Sequence, residues 1–367
     1  MRATISLIEG DGIGVDVCEA TVHIICQALK KVGVAKPNFT KIKAGAGYYL
    51  ENEIDIELHG EKKAGEADAI FLGAIGLPNV RYNDGTEISP HLRLRDLYQL
   101  YAGVRPIKAY PNVASPLSSP RVSEVDFVLI RESTEGLFYS AAVHNRTSIQ
   151  PDQIFDETLR ISRKTSEKLH NFAFKLAIQR KKRGKKGQLT CVDKANVFKS
   201  MAFFRKVFDE VATKYTDVET SYEYVDAAAL KLVNSPWQFD VLVTENMFGD
   251  ILSDLGGALV GGIGMAACGE IGDEIGLFQP AHGSAPDIFG MDKANPLAAI
   301  LSGALMLDYL GDKLGRQPYQ DAASVIENSV YSGFLSKSLR PVEFGYDMGT
   351  KAITNELSSI INSQKAK

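Results

Sequence analysis

The sequence predicts an α/β fold, and three observations carry that prediction. Compact runs rich in β-branched residues alternate with longer stretches of helical period. The chain is 367 residues long with 45% hydrophobic and 23% charged side chains, an ordinary globular composition with room for two or more domains. No repeat or low-complexity segment interrupts the alternation. In order, TISLIEG reads as a strand from Thr4, followed by helical period over roughly 15 to 33. DAIFLGA is a strand before the helix-like HLRLRDLYQLY, GVRPI is strand-like, and VDFVLIRES leads into a long helical segment from Asp156. There Leu169, Phe172, Ala173, Leu176 and Ala177 recur at three- and four-residue steps, and the basic run QRKKRGKKG ends the helix where cations favour the dipole. QLTCVD, a helical stretch after Asn196, VETSYEYVD, FDVLVTEN and the small-residue helix MFGDILSDLGGALVGG follow. NVRYNDGTEISP and AACGEIGDEIGLFQPAHGSAPDIFGMDKANP read as long irregular stretches, where function concentrates.

Charge and cysteine usage narrow the function. With 41 basic against 45 acidic residues the net charge is −4, so no polycationic surface points to nucleic acid or to an anionic membrane. The apolar stretch of MRATISLIEGDG meets Gly and Asp within ten residues, too short for a secretory or membrane-spanning segment. Cys18, Cys26, Cys191 and Cys268 lack metal-type spacing and read as buried thiols in a reducing compartment, so a cytoplasmic protein is expected.

Several constellations could carry chemistry. Gly10-Asp11-Gly12-Ile13-Gly14 follows a strand, but the sixth position of the dinucleotide fingerprint is Val15, leaving a tight turn or a phosphate cradle. Asp250 and Asp254 are one helical turn apart on a helix whose Ile251, Leu252, Leu255 and Ala258 predict burial. Two such acids repel unless a hard divalent cation sits between them. Arg95, Arg105 and Arg131 lie on a helix and two strand-like runs, and converging guanidinium forks would suit a substrate with two or three carboxylates. Lys194 and Asn196 follow QLTCVD, where a lysine beside other cations can serve as a base. His282-Gly283-Ser284-Ala285-Pro286-Asp287 is a loop whose carboxylate could hold a ribose 2′-hydroxyl or simply belong to a capped turn.

Together GDGIG, LRxxxxLYxxxRP, RExTEG, DKANV, YVDAAA, NMFGDILSDLGG and HGSAPDI followed by ANP resemble the β-decarboxylating dehydrogenases, in consistent order from about residue 5 to about residue 310. That family includes the isocitrate, isopropylmalate, homoisocitrate and tartrate or D-malate enzymes. The resemblance implies a two-lobed α/β subunit unlike the Rossmann fold. A discontinuous lobe, 1–100 with 261–367, would bind NAD, and residues 101–260 would form the dimerising lobe that holds substrate and metal. It implies a homodimer or larger homo-oligomer with shared active sites. Arg95, Arg105 and Arg131 would grip a malate, and Asp250 and Asp254, with Asp226 of the other subunit, would hold Mg²⁺ or Mn²⁺. Lys194 and Asn196 would also come from the neighbour, Lys194 assisting deprotonation of the substrate hydroxyl. Ile13, His282, Gly283, Ser284, Ala285 and Asn295 would line the cofactor. Asp287 and Ile288 stand where NADP-preferring relatives carry lysine and tyrosine, which argues for NAD.

Two departures stand out. The family's catalytic tyrosine follows the RExTEG arginine by seven residues; here that position is Phe138, with Tyr139 one place later, so either a local bulge brings Tyr139 in as the catalytic residue, or water or another acid takes over, or turnover is slow. Where isopropylmalate enzymes present a glutamate and two leucines, this chain has Ile88, His91 and Leu92, with a serine at Ser89 as in isocitrate-type members. Ser89 and His91 suit a polar or carboxylated C3 substituent better than a branched alkyl one, the alternative being that Ser89 merely caps the helix and His91 is solvated. The expected function is NAD- and Mg/Mn-dependent oxidative decarboxylation of a 3-substituted malate, isocitrate-like in preference. The alternatives are isopropylmalate or tartrate/D-malate as substrate, a dehydrogenase that retains the carboxylate, or a regulatory non-catalytic subunit of a hetero-oligomer.

Overall fold

A computed structural model describes residues 2–139 and 156–364. It contains one ten-stranded mixed sheet covered by helices on both faces. The strands are β1 (Thr4–Gly10), β2 (Asn38–Lys41), β3 (Ala69–Ala74), β4 (Ala102–Lys108), β5 (Asp126–Glu132), β6 (Gln188–Asp193), β7 (Glu219–Tyr224), β8 (Val241–Thr244), β9 (Ala267–Ile271) and β10 (Gly276–Pro280). The longer helices are α1 (Gly14–Lys31), α2 (Ala46–Asn52), α3 (Gly60–Gly65), α4 (Pro90–Leu97), α5 (Arg163–Lys182), α6 (Lys199–Ala212), α7 (Val225–Asn234), α8 (Asn246–Leu259), α9 (Leu297–Leu314), α10 (Gln317–Leu335) and α11 (Thr350–Ser363). Among the described residues no helix is long and apolar enough to cross a membrane.

The strand order is β2-β1-β3-β10-β9-β4-β5-β8-β6-β7. Pairing is parallel from β2 to β10, antiparallel through β10-β9, β9-β4 and β4-β5, and parallel again from β5 to β7. Because side chains alternate across a strand, the runs AIFLGA and DFVLIRE, buried nearly throughout, feed both faces. Phe71, Val128 and Ile130 join one continuous core that reaches from Ile5 to Val243 under α1, α5, α6, α9, α10 and α11. Phe127 and Leu129 enter a second cluster under α8, with Leu252, and Ile70 and Leu72 a third, with Leu94 of α4. Such strands read as apolar runs rather than as alternation.

The segment after Ala266 departs from the expected irregular stretch: it contributes β9 and β10, an antiparallel hairpin near the middle of the sheet. Its glycines and acids hide the strand pattern, because Gly269 and Gly276 both pack against the Phe278 ring and Glu270 is buried rather than solvated. The helix expected from His91 ends at Leu97, and the helix expected from Asp156 begins at Arg163. The basic run closes α5 as expected, with Arg180 on Asp126 and Asp240, Arg183 on Asp308 and Lys185 on Asp126. The four cysteines are unpaired; Cys26 is half-buried, the other three buried.

Candidate active site

The site is built by one rung of the sheet. Gly103 of β4 stands opposite Glu270 of β9 on one side and Arg131 of β5 on the other. Directly opposed residues project from the same face, as does Arg105 two residues along from Gly103. A Cβ on Gly103 would meet Ser133 Oγ at 2.6 Å and Glu270 Oε2 at 2.9 Å, so the glycine makes room for the acid beside it. This charged patch lies between the two apolar clusters of that face, while the opposite face carries the continuous core.

Arg95 reaches the patch from α4. Its Nη2 lies 3.0 Å from Glu270 Oε1, and Arg105 Nη2 lies 2.5 Å from the same oxygen. Arg95, Arg105, Arg131 and Glu270 are all less than 9% exposed. Burial alone pushes the Glu270 carboxyl upward, but Arg105, Arg95 and Arg131 outweigh it and bring the group down to about 2. Burial, with Arg95 beside it, lowers Arg131 to about 10, which leaves it cationic at neutral pH. Arg95 Nε and Glu270 Oε2 are buried without hydrogen-bond partners.

The start of α8 completes this wall. Glu245 caps the helix, accepting from the backbone N–H groups of Phe248 at 2.7 Å and Met247 at 3.2 Å. Asn246 is fully buried; its Oδ1 accepts from Arg131 Nε at 2.9 Å and its Nδ2 donates to the Glu135 carbonyl at 2.8 Å. Asp250 pairs with Arg131 one turn on. Asp254 follows, its carboxyl raised by burial and by the neighbouring Asp250 charge. This is the mutual repulsion that a hard divalent cation relieves with oxygen donors. Among the described residues no three His, Cys, Asp or Glu side chains converge as a metal site within the chain. The helix is less buried than its composition predicts, since Ile251 is 60% and Met247 36% exposed.

Asp226, the third expected ligand, sits in the first turn of α7 and accepts from Lys194 Nζ at 2.6 Å, which lowers its carboxyl. Lys194 occupies the turn after β6. That turn is held by the fully buried Asp193, which accepts from Ala195 N at 2.8 Å and from Arg205 at 2.7 and 2.8 Å. Asn196 is exposed on the same turn.

Phe138 and Tyr139 face different arginines. The Arg131 guanidinium lies over the Phe138 ring at 4.9 Å, whereas the Tyr139 ring lies under Arg160 at 4.0 Å. Both residues follow Gly136, at φ 70°, on a helical turn, where one position rotates a side chain by roughly 100°. Ser89 precedes α4 without capping it: its Oγ donates to the Glu87 carbonyl at 3.1 Å. His91 is held neutral, lowered to about 3 by burial and by Arg95.

The expected cofactor residues surround the turn between β1 and α1. A cavity of ≈ 380 Å³ is lined by Ile13, His282, Gly283, Ala285, Ile288 and Asn295 among others. His282 Nε2, a buried ring nitrogen with no partner, marks a polar position that a bound heterocycle could satisfy. Ser284 is structural to this cavity: its carbonyl accepts from Ile13 N at 2.8 Å and its Oγ donates to the Gly76 carbonyl at 2.5 Å. Gly12, at φ 53°, permits that approach, since a Cβ there would lie 2.1 Å from Ser284 O. Asp287 is exposed on the short turn Pro286–Ile288. Asp11 of the glycine motif accepts backbone N–H bonds from Ala46, Gly47 and Gly76, each at 2.8 Å, and so ties three segments together.

Sequence reasoning missed Glu270, Asn246 and Asp193. Asp193 and Asn246 lie beside recognised motifs, so adjacency was an available signal; Glu270 had none, because it sits in a stretch read as irregular.

The isocitrate/isopropylmalate dehydrogenase family model matches residues 4–360. The chain is 38% identical over 357 residues, 96% of it and 91% of the relative, to a 3-isopropylmalate dehydrogenase of Carboxydothermus hydrogenoformans. It is 37% identical over 363 residues, 98% and 99% of the two chains, to a 3-isopropylmalate/3-methylmalate dehydrogenase of Methanocaldococcus jannaschii. The crystal structure of isocitrate dehydrogenase from Methylococcus capsulatus superposes with a TM-score of 0.83 at 30% identity, covering 99% of this chain and 100% of that one. With its arginine patch, paired helix-borne acids and the cavity at the β1–α1 turn in the order of the motifs, the chain belongs to the isocitrate/isopropylmalate dehydrogenase family and is an oxidoreductase, a dehydrogenase that decarboxylates hydroxy acids.

Proposed function

We propose that the chain oxidatively decarboxylates a 3-alkylmalate, using NAD⁺ and Mg²⁺ or Mn²⁺, as a homodimer whose sites are completed across the interface. The observation that carries this reading is the convergence of the buried Arg95, Arg105 and Arg131 beside Asp250 and Asp254. Guanidinium forks match carboxylates. The arginines would hold the two malate carboxylates, and Asp250 and Asp254 with a partner's Asp226 would hold the cation. The chemistry these groups would supply when bound is Lewis-acid polarisation of the C2 oxygen, from the cation held by the aspartates, and a hydride acceptor, from NAD⁺. Lys194, steered by Asp226, would assist loss of the C2 hydroxyl proton. Tyr139 has no part in this reading, since its ring lies under Arg160.

The alkyl preference departs from the isocitrate-like one drawn from Ser89 and His91. The Ser89 hydroxyl is committed to a carbonyl and His91 is neutral, so neither supplies a cation to a third carboxylate. The names of the two relatives above point the same way. Preference for NAD rests on Asp287, whose charge would repel a 2′-phosphate.

The lobes follow the sheet: strands from 4–74 and 267–280 occupy one half of the order and those from 102–244 the other, which supports 1–100 with 261–367 as the cofactor lobe and 101–260 as the dimerising one. Val197, Phe198, Leu230 and Ile251, each more than half exposed, all belong to the latter and supply apolar surface for a second copy. A cytoplasmic setting is supported by the four unpaired thiols. The test is NADH formation at 340 nm with Mn²⁺ from 3-isopropylmalate, 3-methylmalate, isocitrate, homoisocitrate, tartrate and D-malate separately, with CO₂ counted. Metal-dependent NADH and CO₂ from a 3-alkylmalate is expected; turnover of isocitrate alone overturns the alkyl preference.

A further inference from the structure

We propose that Glu270 is a specificity-determining and positioning residue that fixes the charge of the anion the arginine patch accepts, matching it to a dianion rather than a trianion. This rests on the reading of Arg95, Arg105 and Arg131 as the carboxylate grip.

Three buried guanidinium groups carry three positive charges. Glu270, fully buried, contributes one negative charge through a single oxygen shared by Arg95 and Arg105. Asp250, which pairs with Arg131, is counted with the cation site: Asp250, Asp254 and the partner's Asp226, with Lys194 and a divalent cation, sum to zero. The three arginines and Glu270 therefore leave two positive charges, which two carboxylates neutralise. A third carboxylate would remain unmatched in a desolvated site, where an unpaired charge is costly. The groups next to α4 do not supply the missing cation: His91 is neutral, and Arg93 is already taken up by Asp55 at 2.5 Å and Glu61 at 2.8 Å.

Glu270 also has a geometric effect. Its Oε1 binds one Nη2 of each arginine and so anchors two forks that arrive from different elements, a helix and a strand. Arg105 Nη1 donates to the Val104 and Gly269 carbonyls at 3.4 and 3.5 Å, whereas Arg95 Nε is a buried donor without a partner and is left for ligand. The rung explains why an acid can sit there at all, since the residue facing it is Gly103, where any side chain would collide with its carboxylate. An acid placed against three substrate-binding arginines weakens a purely attractive grip; its benefit lies in discrimination, which is a difference between two affinities.

The experiment uses the full-length protein with Mg²⁺ and needs no turnover. Calorimetry would compare (2R)-malate, a dianion, with tricarballylate, a trianion, on the wild type, Glu270→Gln and Glu270→Asp. The wild type is expected to prefer malate. Glu270→Gln removes the charge while keeping the shape, and should shift the ratio toward tricarballylate by about tenfold or more. Glu270→Asp keeps the charge and should keep the wild-type order while weakening both ligands, because the shorter side chain holds the forks less well. In turnover, the kcat/KM ratio of isocitrate to 3-isopropylmalate should rise in Glu270→Gln by a similar factor.

A Glu270→Gln ratio equal to that of the wild type overturns the proposal and leaves the arginine grip intact. So does a wild type that binds tricarballylate at least as tightly as malate, a result that does not depend on any variant folding. Failure of every form, well folded, to bind either anion overturns the grip itself and the proposal with it.

Discussion

The Arg131 guanidinium lies over the ring of Phe138, while the hydroxyl-bearing ring of Tyr139 lies under Arg160. The aromatic position at the arginine patch is thus occupied by a side chain that cannot donate a proton. Phe138→Tyr is expected to raise kcat by about tenfold or more, since a positioned general acid contributes roughly 10² to 10⁴. Tyr139→Phe is expected to leave kcat nearly unchanged. Steady-state NADH formation by both variants checks this, and a large loss in Tyr139→Phe would return that residue to the mechanism.

Metal dependence should run through α8. Asp254→Asn is expected to raise the Mg²⁺ concentration for half-maximal activity by about 100-fold, since even outer-shell changes cost 10- to 100-fold. It should also remove the repulsion that raises the Asp254 carboxyl, so the variant without metal is expected to be at least as heat-stable as the wild type without metal. A metal titration and a melting curve in EDTA report the two effects separately.

His170 should make the fold acid-sensitive. It is fully buried, its ring centroid 4.5 Å from that of Phe204 and 5.3 Å from that of Phe208, and burial lowers it to about 3. A depressed pKa means that the unfolded chain takes up a proton near pH 6.5 while the folded chain refuses it. The stability associated with the neutral ring is therefore present above 6.5 and falls as pH drops toward 3, by about 1.4 kcal/mol per pH unit. His170→Phe should flatten that part of the profile. Urea midpoints at pH about 7 and about 5 check this: the wild type should lose more than the variant.

The proposed sharing of active sites between subunits predicts complementation. Lys194→Ala and Asp250→Asn homodimers should each be inactive, yet a mixture refolded together should regain part of the activity, because one site of the mixed dimer receives its intact lysine from one chain and its intact aspartate from the other. Ile251→Glu, on the exposed face of α8, should weaken the dimer and the activity together. Light scattering alongside the assay checks both; an active monomer would contradict the shared site.

The sequence alone determined the alternation of strands and helices, because a strand buried on both faces must be apolar throughout and a covering helix must be apolar on one. It also determined the family, since Arg95, Arg105, Arg131, Asp250, Asp254, Lys194 and the loop from His282 lie in motifs whose order is itself diagnostic, and these are the side chains that the proposed reaction needs. What tertiary structure decided is which of these groups meet, and what else meets them. Glu270 is invisible as a functional residue in the run ACGEIGDEIG, where glycines and acids suggest a loop; it becomes one only when β9 pairs with β4 and sets it against Gly103. The exchange of Phe138 for Tyr139 was legible as a one-residue offset. Which ring would face Arg131 depended on the backbone after Gly136 forming a helical turn, a matter of φ and ψ rather than of composition. Ser89 and His91 looked polar in the sequence, yet a nearby carbonyl and burial beside Arg95 change what each can offer. Residue type limits the chemistry a position can perform, but charge state and hydrogen-bond commitment are properties of surroundings that lie far apart along the chain.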